Sequence, residues 1–527
     1  MKFIKKSFAL ISLLGLLSAC TFVARVNYTS TSDSNDISIS EGSDEEISSS
    51  SESLSSSESE SSSELTSTSE ESSSSSSSTS SEYPVGDGYR VAKMGYNYQD
   101  YQDHNYYTNM DSMPTTGTVN LLVIPVELKG YPFGSDTVSR IEKAYFGTPE
   151  ETGWESVASY YHTESKGKLT ITGVVSPIYT ATYGASITED QTTNLVTTTA
   201  EWYRTNYSTN NMKEFDADQD GYIDGIMLIY SAPYSQESGS NLWAYCYWTS
   251  VSANKNSPKA NTYFWASYHF LDDDSRIDID AHTYIHELGH VMGLDDYYNY
   301  DNSSSYGAAG GFSMQDYNVG EHDPYSKTAL GWIDPIVATG DTQITIAPGD
   351  AVILSPDDLS SDSPFDEYLM LDVYSPTGLN YQDATYAYSG NYPKGPSNVG
   401  IRVWHVDARL MKNYSGSGTP TLSSTITEGN YYYHAMSNST NSMYGSMYSG
   451  YRSYKLLHLL QQGGTNTYKN GATLSNGDLW VTGDTFSMNS YKSFFVNSGK
   501  LDSGLNLAYS FTVNSISGTN VTLTITK

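Results

Sequence analysis

The chain has 527 residues, with 27 Lys and Arg against 60 Asp and Glu, a formal net charge of −33. That balance excludes nucleic acid as a partner, because phosphate binding needs a basic surface, and it excludes adhesion to anionic lipid by charge alone. Two cysteines, Cys20 and Cys246, exclude a disulfide framework, so the fold must be held by a packed core and bound ions.

The chain opens with Lys2, Lys5 and Lys6, followed by an apolar run from Phe8 to Leu17. This pattern predicts a secretory signal over residues 1–19. The run ends Leu17-Ser18-Ala19-Cys20, which resembles the lipobox of bacterial lipoproteins. The resemblance implies acylation of Cys20 and an extracytoplasmic, lipid-anchored position on a bacterial cell surface. No other apolar run is long enough to span a bilayer. Residues 20–83 are dominated by Ser, Glu, Asp and Thr, and no Lys or Arg occurs from Ser30 to Glu82. Such a stretch cannot bury apolar surface, and its like charges repel, so a disordered tether is expected. A coil of about 60 residues spans about 40–45 Å. Residues 84–117 are rich in Tyr, Asn and Asp and read either as an N-terminal extension or as a short pro-segment.

Strands and helices then alternate. Val119–Glu127 is apolar and β-branched and predicts a strand. Helices are expected near Val138–Phe146 and Ser156–Glu164, a strand at Lys168–Val175, and a helix capped by Thr188 and running to about Arg204. This predicts an α+β domain over residues 118–335. The abundant tyrosine, 47 residues, also favours β structure.

Asp216-Ala217-Asp218-Gln219-Asp220-Gly221-Tyr222-Ile223-Asp224 places carboxylates at loop positions 1, 3, 5 and 9 around a glycine turn. Hard oxygen donors at this spacing suit Ca²⁺, with Asp216, Asp218, Asp220, the Tyr222 backbone carbonyl and Asp224 as ligands. A strand follows at Gly225–Tyr230, where an EF-hand would have a helix, so the expected role is to anchor that strand.

The segment His286-Glu287-Leu288-Gly289-His290-Val291-Met292-Gly293-Leu294-Asp295-Asp296 reads H-E-x-x-H-x-x-G-x-x-D. On a helix the two histidines are separated by about 6 Å of rise and about 40° of rotation, so both imidazoles share a face. Two neutral imidazoles, a third ligand and an adjacent carboxylate are what a catalytic zinc needs. Asp280 can cap the helix, Ile285, Leu288 and Met292 should face the core, and Gly293 should end the helix in a left-handed turn. That turn would bring Asp296 to the metal with His286 and His290. His282, Asp295 and Glu321 are competing third ligands. After Trp332 short alternating strands recur, at Tyr368–Tyr374, Gly400–Val406, Tyr454–Leu460 and Tyr509–Thr526. They predict an all-β, sandwich-like domain over 336–527. Its role is open between binding a substrate or surface and packing against the first domain.

The extended motif resembles that of metzincin-type peptidases with Asp as third ligand. The surrounding sequence is similar to the immune inhibitor A family of secreted bacterial zinc metallopeptidases. The likeness is carried by Leu121–Glu127, Ser156–Lys168, Asp216–Asp224, His286–Asp296, Gly311-Phe312-Ser313-Met314 and Tyr325–Trp332. It departs at Asp295, where the family often has proline, and in the lack of a long pro-region. The resemblance implies a twisted sheet with an active-site helix, and Met314 in a methionine turn under the zinc.

These readings together lead to a zinc endopeptidase acting on extracellular proteins or peptides. Zinc would lower the pKa of a bound water, and Glu287 would take its proton. Tyr317, three residues past Met314, could hydrogen-bond the developing oxyanion, or could simply be a packed ring. A monomer is expected. The competing functions are a surface adhesin on a decayed peptidase scaffold, against which Glu287 argues, and a zinc aminopeptidase.

Overall fold

Every residue from Val119 to Val126 except Asn120 is buried, which sets β2 (Gly117–Glu127) at the centre of a sheet. It runs parallel to β3 (Leu169–Val175) on one side and to β5 (Ile226–Tyr230) on the other. Beyond β5 lies parallel β7 (Thr262–Ser267), and β6 (Tyr245–Trp248) closes that edge antiparallel. Short β4 (Tyr179–Thr180) pairs with Val126 and Glu127. Val123 and Glu127 both turn their carbonyls to the β3/β4 edge. Pro125 shares their parity and falls where β3 has ended and β4 has not begun, so its missing N–H costs no ladder bond.

The computed structural model describes residues 88–94 and 113–527, apart from 238–239, 275, 300–304, 361, 389–391, 415–420, 427–430, 435–437 and 439–452. The expected signal peptide, Cys20 and the acidic tether lie outside the described residues.

Both faces of the first sheet are covered, as parallel sheets require. Val119, Leu121 and Val123 pack with Ile141 and Tyr145 of α1 (Thr137–Phe146) and with Val157, Tyr160 and Tyr161 of α3 (Val157–Glu164). Between those helices lies the one-turn α2 (Pro149–Thr152). Leu122, Ile124 and Val126 face Leu195, Val196 and Tyr203 of α4 (Glu189–Asn206). Ser156 and Thr188 cap α3 and α4 through reciprocal capping boxes. All ten residues of α5 (His282–Val291) are buried, and Ile285, Leu288 and Met292 join the Val119 face of the core as the periodicity predicts. Two short helices follow, α6 (Met314–Tyr317) and α7 (Pro324–Ala329).

The second half is built on a sheet of order β1-β8-β10-β11-β12-β16. Its members are β1 (Tyr89–Val91), β8 (Ile336–Ala338), β10 (Ala351–Leu354), β11 (Glu367–Tyr374), β12 (Gly400–Asp407) and β16 (Leu457–Leu459). Part of the ambiguous 84–117 stretch is therefore an edge strand of this sheet. Arg90 Nη2 fastens it, at 2.7 Å from Leu359 O and 2.6 Å from Asp362. β9 (Thr342–Ile346) belongs to a four-stranded sheet with β17 (Thr485–Ser487), β18 (Ser510–Ser517) and β19 (Asn520–Thr526). Three further strands, Leu410–Tyr414, Thr421–Ser423 and Tyr431–His434, make a third sheet. A two-sheet sandwich does not describe this half, which also contains a helix, α8 (Asn380–Thr385). The fold is α+β, and the described residues belong to one compact unit. Among them no helix is long and apolar enough to cross a membrane.

Candidate metal centre

α5 supplies His286, Glu287 and His290, all buried. The helix ends at Val291, and Gly293 follows with φ of +96°. That left-handed residue, which glycine adopts without steric cost, reverses the chain. The reversal brings Asp296, buried, back against both histidines. His286 Nε2 is 3.0 Å from Asp296 Oδ1, His290 Nε2 is 3.2 Å from the same oxygen, and the two Nε2 atoms are 3.1 Å apart.

The outer nitrogens explain the orientation of the rings. His286 Nδ1 donates to Met314 O at 2.7 Å, and His290 Nδ1 donates to Leu294 O at 2.8 Å. With the proton committed to Nδ1, each Nε2 presents a lone pair to the shared space. Two lone pairs at this separation repel unless a proton or a cation lies between them. A tetrahedral zinc with bonds of about 2.0–2.1 Å has donor–donor edges of about 3.3–3.4 Å, close to the triangle observed. Without a cation, burial opposes charge on His290 but Asp296 more than offsets it and raises the imidazole to about 10, so a proton occupies the Nε2 position that a metal would take over. Burial likewise works against the Asp296 carboxylate, yet His290 and His286 keep it well below the usual range. The set of two nitrogens and one anionic oxygen fits a zinc-type cation.

No family model matches the chain, and no curated protein matches it. Among solved structures, metalloproteinase-II from Bacteroides fragilis is similar at 14% identity and a TM-score of 0.19, over 36% of this chain and 48% of that one. The chain thus matches about half the length of that structure.

Two of the competing third ligands are engaged elsewhere. His282 lies between Asp280 and Asp383. Glu321 bonds Lys327 Nζ at 2.5 Å and Arg402 at 3.2 Å. Asp295 is pushed up to about 7, by burial first, and the two histidine contacts above are made by its neighbour. Met314 is buried under α5 in the same core, and its backbone carbonyl is what reaches a ligand. Tyr317 packs its ring against the core of the second half, and no hydrogen bond joins its hydroxyl to the metal triangle among the described residues. Burial, and then the Glu287 charge, raise the Tyr145 hydroxyl and the Cys246 thiol. Cys246 is a buried free thiol.

The acidic loop is assembled only in part as its spacing suggests. Carboxylate oxygens of Asp216, Asp218 and Asp224 lie within 4.8 Å of one another, with Asp216 and Asp224 buried. Asp216 Oδ1 is buried with no hydrogen-bond partner. Asp220 is not in this cluster. Its Oδ1 accepts the Tyr222 N–H at 2.7 Å, which turns the carboxylate to the backbone of its own loop. Gly221 has φ of +100°, and a Cβ there would sit 2.7 Å from Asn254 N and Lys255 N. The loop is thus closed against the 254–259 segment, which also bonds Gly221 O.

A third group, Glu367, His405 and Asp502, has no local motif and escapes sequence reasoning. The Glu367 oxygens are already committed. Glu367 accepts His405 Nε2 at 2.7 Å, the Asp502 N–H, and the Ser503 N–H at 2.7 Å, and Arg409 lies 3.7 Å away. Asp502 accepts Val496 N at 2.8 Å. This is a satisfied ion-pair cluster joining β11 and β12 to the 495–505 segment.

Proposed function

We propose that the chain is a zinc-dependent endopeptidase, anchored by a lipid on Cys20 at a bacterial cell surface and acting on extracellular proteins. The observation that carries the reading is the triangle of His286 Nε2, His290 Nε2 and Asp296 Oδ1, with both outer nitrogens tied to backbone carbonyls. The H-E-x-x-H-x-x-G-x-x-D spacing of residues 286–296 supports the same reading. Zinc held there would polarise a scissile carbonyl and acidify a water. Met314 O and Leu294 O fix the two imidazoles, and the Gly293 turn delivers Asp296. Glu287, adjacent to His286 on a buried helix, takes a proton and returns it to the leaving amine. Asp216, Asp218 and Asp224 hold a calcium ion that fastens β5, because three clustered carboxylates repel one another without a cation.

The test is a peptide blocked at both ends and quenched internally, with zinc measured per chain. Glu287→Gln should lower turnover by about 10²–10⁴-fold and leave bound zinc unchanged. Undiminished turnover would refute the assignment.

A further inference from the structure

His282 opens α5, one turn before His286, and is fully buried. Its Nδ1 is 2.7 Å from Asp280 Oδ1, and its Nε2 is 3.3 Å from Asp383 Oδ1. Carboxylates only accept, so a ring with both nitrogens on carboxylates carries two protons. The Trp154 ring lies parallel on it, with centroids 3.7 Å apart and planes at 7°. Burial pulls the imidazole down, but the two carboxylates more than offset this and hold it at about 10. A positive charge in the first turn opposes the helix dipole. His282 is therefore held by its partners and not by the helix it begins.

Asp383 comes from α8, about a hundred residues further on in the chain. Its Oδ2 accepts the Gly320 N–H at 2.6 Å, and its Oδ1 also accepts the Tyr388 hydroxyl. On the same helix, Asn380 Oδ1 accepts the Glu321 N–H at 2.9 Å. Glu321 O in turn accepts the Met314 N–H at 3.4 Å and closes the loop between them. Met314 O holds His286 Nδ1. Two routes thus lead from one carboxylate to one ligand. The first runs through His282 and a single turn of α5. The second runs through Gly320 and the Met314 loop.

We propose that Asp383 is a positioning residue of the metal centre, tying the start of the ligand helix to the loop whose Met314 carbonyl orients His286. The inference rests on the triangle being a zinc site. The helix and the loop meet correctly only when both bonds to Asp383 are made, so the second half of the chain completes the centre without touching the metal.

The test compares the full chain with Asp383→Asn and His282→Gln. Zinc affinity is read by competition with a chromogenic chelator, ligand geometry by the visible spectrum of the Co²⁺-loaded protein, and stability by urea unfolding. Asp383→Asn should weaken zinc binding by about 10–100-fold. It should also alter the Co²⁺ bands and lower kcat with little change in KM. His282→Gln should move affinity and spectrum the same way, and the double variant should bind zinc no more weakly than Asp383→Asn alone. If Asp383→Asn does not fold, His282→Gln carries the comparison. Unchanged affinity and unchanged bands, with stability alone reduced, would overturn the inference. A wild-type chain that takes up no zinc would instead overturn the metal-site reading beneath it.

Discussion

His286 and His405 are both buried imidazoles beside carboxylates, yet they turn their nitrogens in opposite senses. His286 gives Nδ1 to a backbone carbonyl and leaves Nε2 facing His290 and Asp296. His405 puts Nε2 into Glu367, whose oxygens are in turn taken by backbone N–H groups of Asp502 and Ser503. Residue types alone do not separate the two. What separates them is whether the backbone uses the acceptor that faces inward or the donor that faces outward. In the first group two imidazole nitrogens and a carboxylate oxygen converge on one space, and in the second both Glu367 oxygens are taken by donors.

The largest effect should come from removing one histidine from each group. His286→Ala should abolish zinc uptake, because two ligands do not hold the ion against water. His405→Ala should leave zinc content unchanged and destabilise the fold by about 3–5 kcal/mol, the cost of leaving a buried carboxylate without its partner. Elemental analysis and urea unfolding of the two variants decide this. Equal zinc loss in both would erase the distinction.

Acid should separate the groups a second time. Ligand imidazoles must be neutral, so zinc should leave as pH falls below about 6. In the other cluster Glu367 is lowered from 4.5 to about 2, where burial is more than offset by His405 and Arg409. A depressed carboxylate stabilises fully above its ordinary value and loses that contribution as pH falls from 4.5 toward 2. His405 is raised above 6.5 by Asp502 and Glu367 acting against burial. A raised imidazole stabilises fully below its ordinary value and loses that contribution as pH rises through the folded value. The pair is therefore at full strength near pH 5, where the metal triangle should be empty. Zinc release and loss of circular dichroism should be two transitions, the second below pH 4.5. A single coincident transition would contradict this.

These contrasts also show how far local sequence reaches. His286, His290, Gly293 and Asp296 could be placed because helix periodicity and one left-handed glycine act within eleven residues. The strand at Val119–Glu127 and the Ser156 and Thr188 caps were legible for the same reason. Asp220 lies outside the cluster of Asp216, Asp218 and Asp224, and spacing alone does not decide whether a carboxylate in a tight turn serves its own backbone or an ion. Asp383, His405 and the pairing of β1 with β8 left no local trace. Each depends on contacts between residues roughly 40 to 250 positions apart, where periodicity carries no information. Tyr317 also packs its ring against the second core, a contact that its short offset from Met314 does not reveal.

The smallest effect concerns the acidic loop, and its sign makes it informative. Burial, with the neighbouring aspartates, pushes Asp224 up to about 8, against the pull of the Ala217 N–H. A carboxylate raised in this way destabilises the ion-free fold when ionised at neutral pH. A calcium ion reverses that balance, and at a concentration of about 100 Kd it adds about 2.7 kcal/mol. Calcium should therefore raise Tm by a few degrees, and EGTA should remove the gain. Asp224→Asn keeps an oxygen for the Ala217 N–H and removes the charge. It should raise Tm in EGTA and lower it in calcium, a crossing that a purely structural aspartate would not produce. If the substitution shifts Tm in one direction under both conditions, the loop holds no calcium, and His286, His290 and Asp296 remain the chain's one proposed cation site among the described residues.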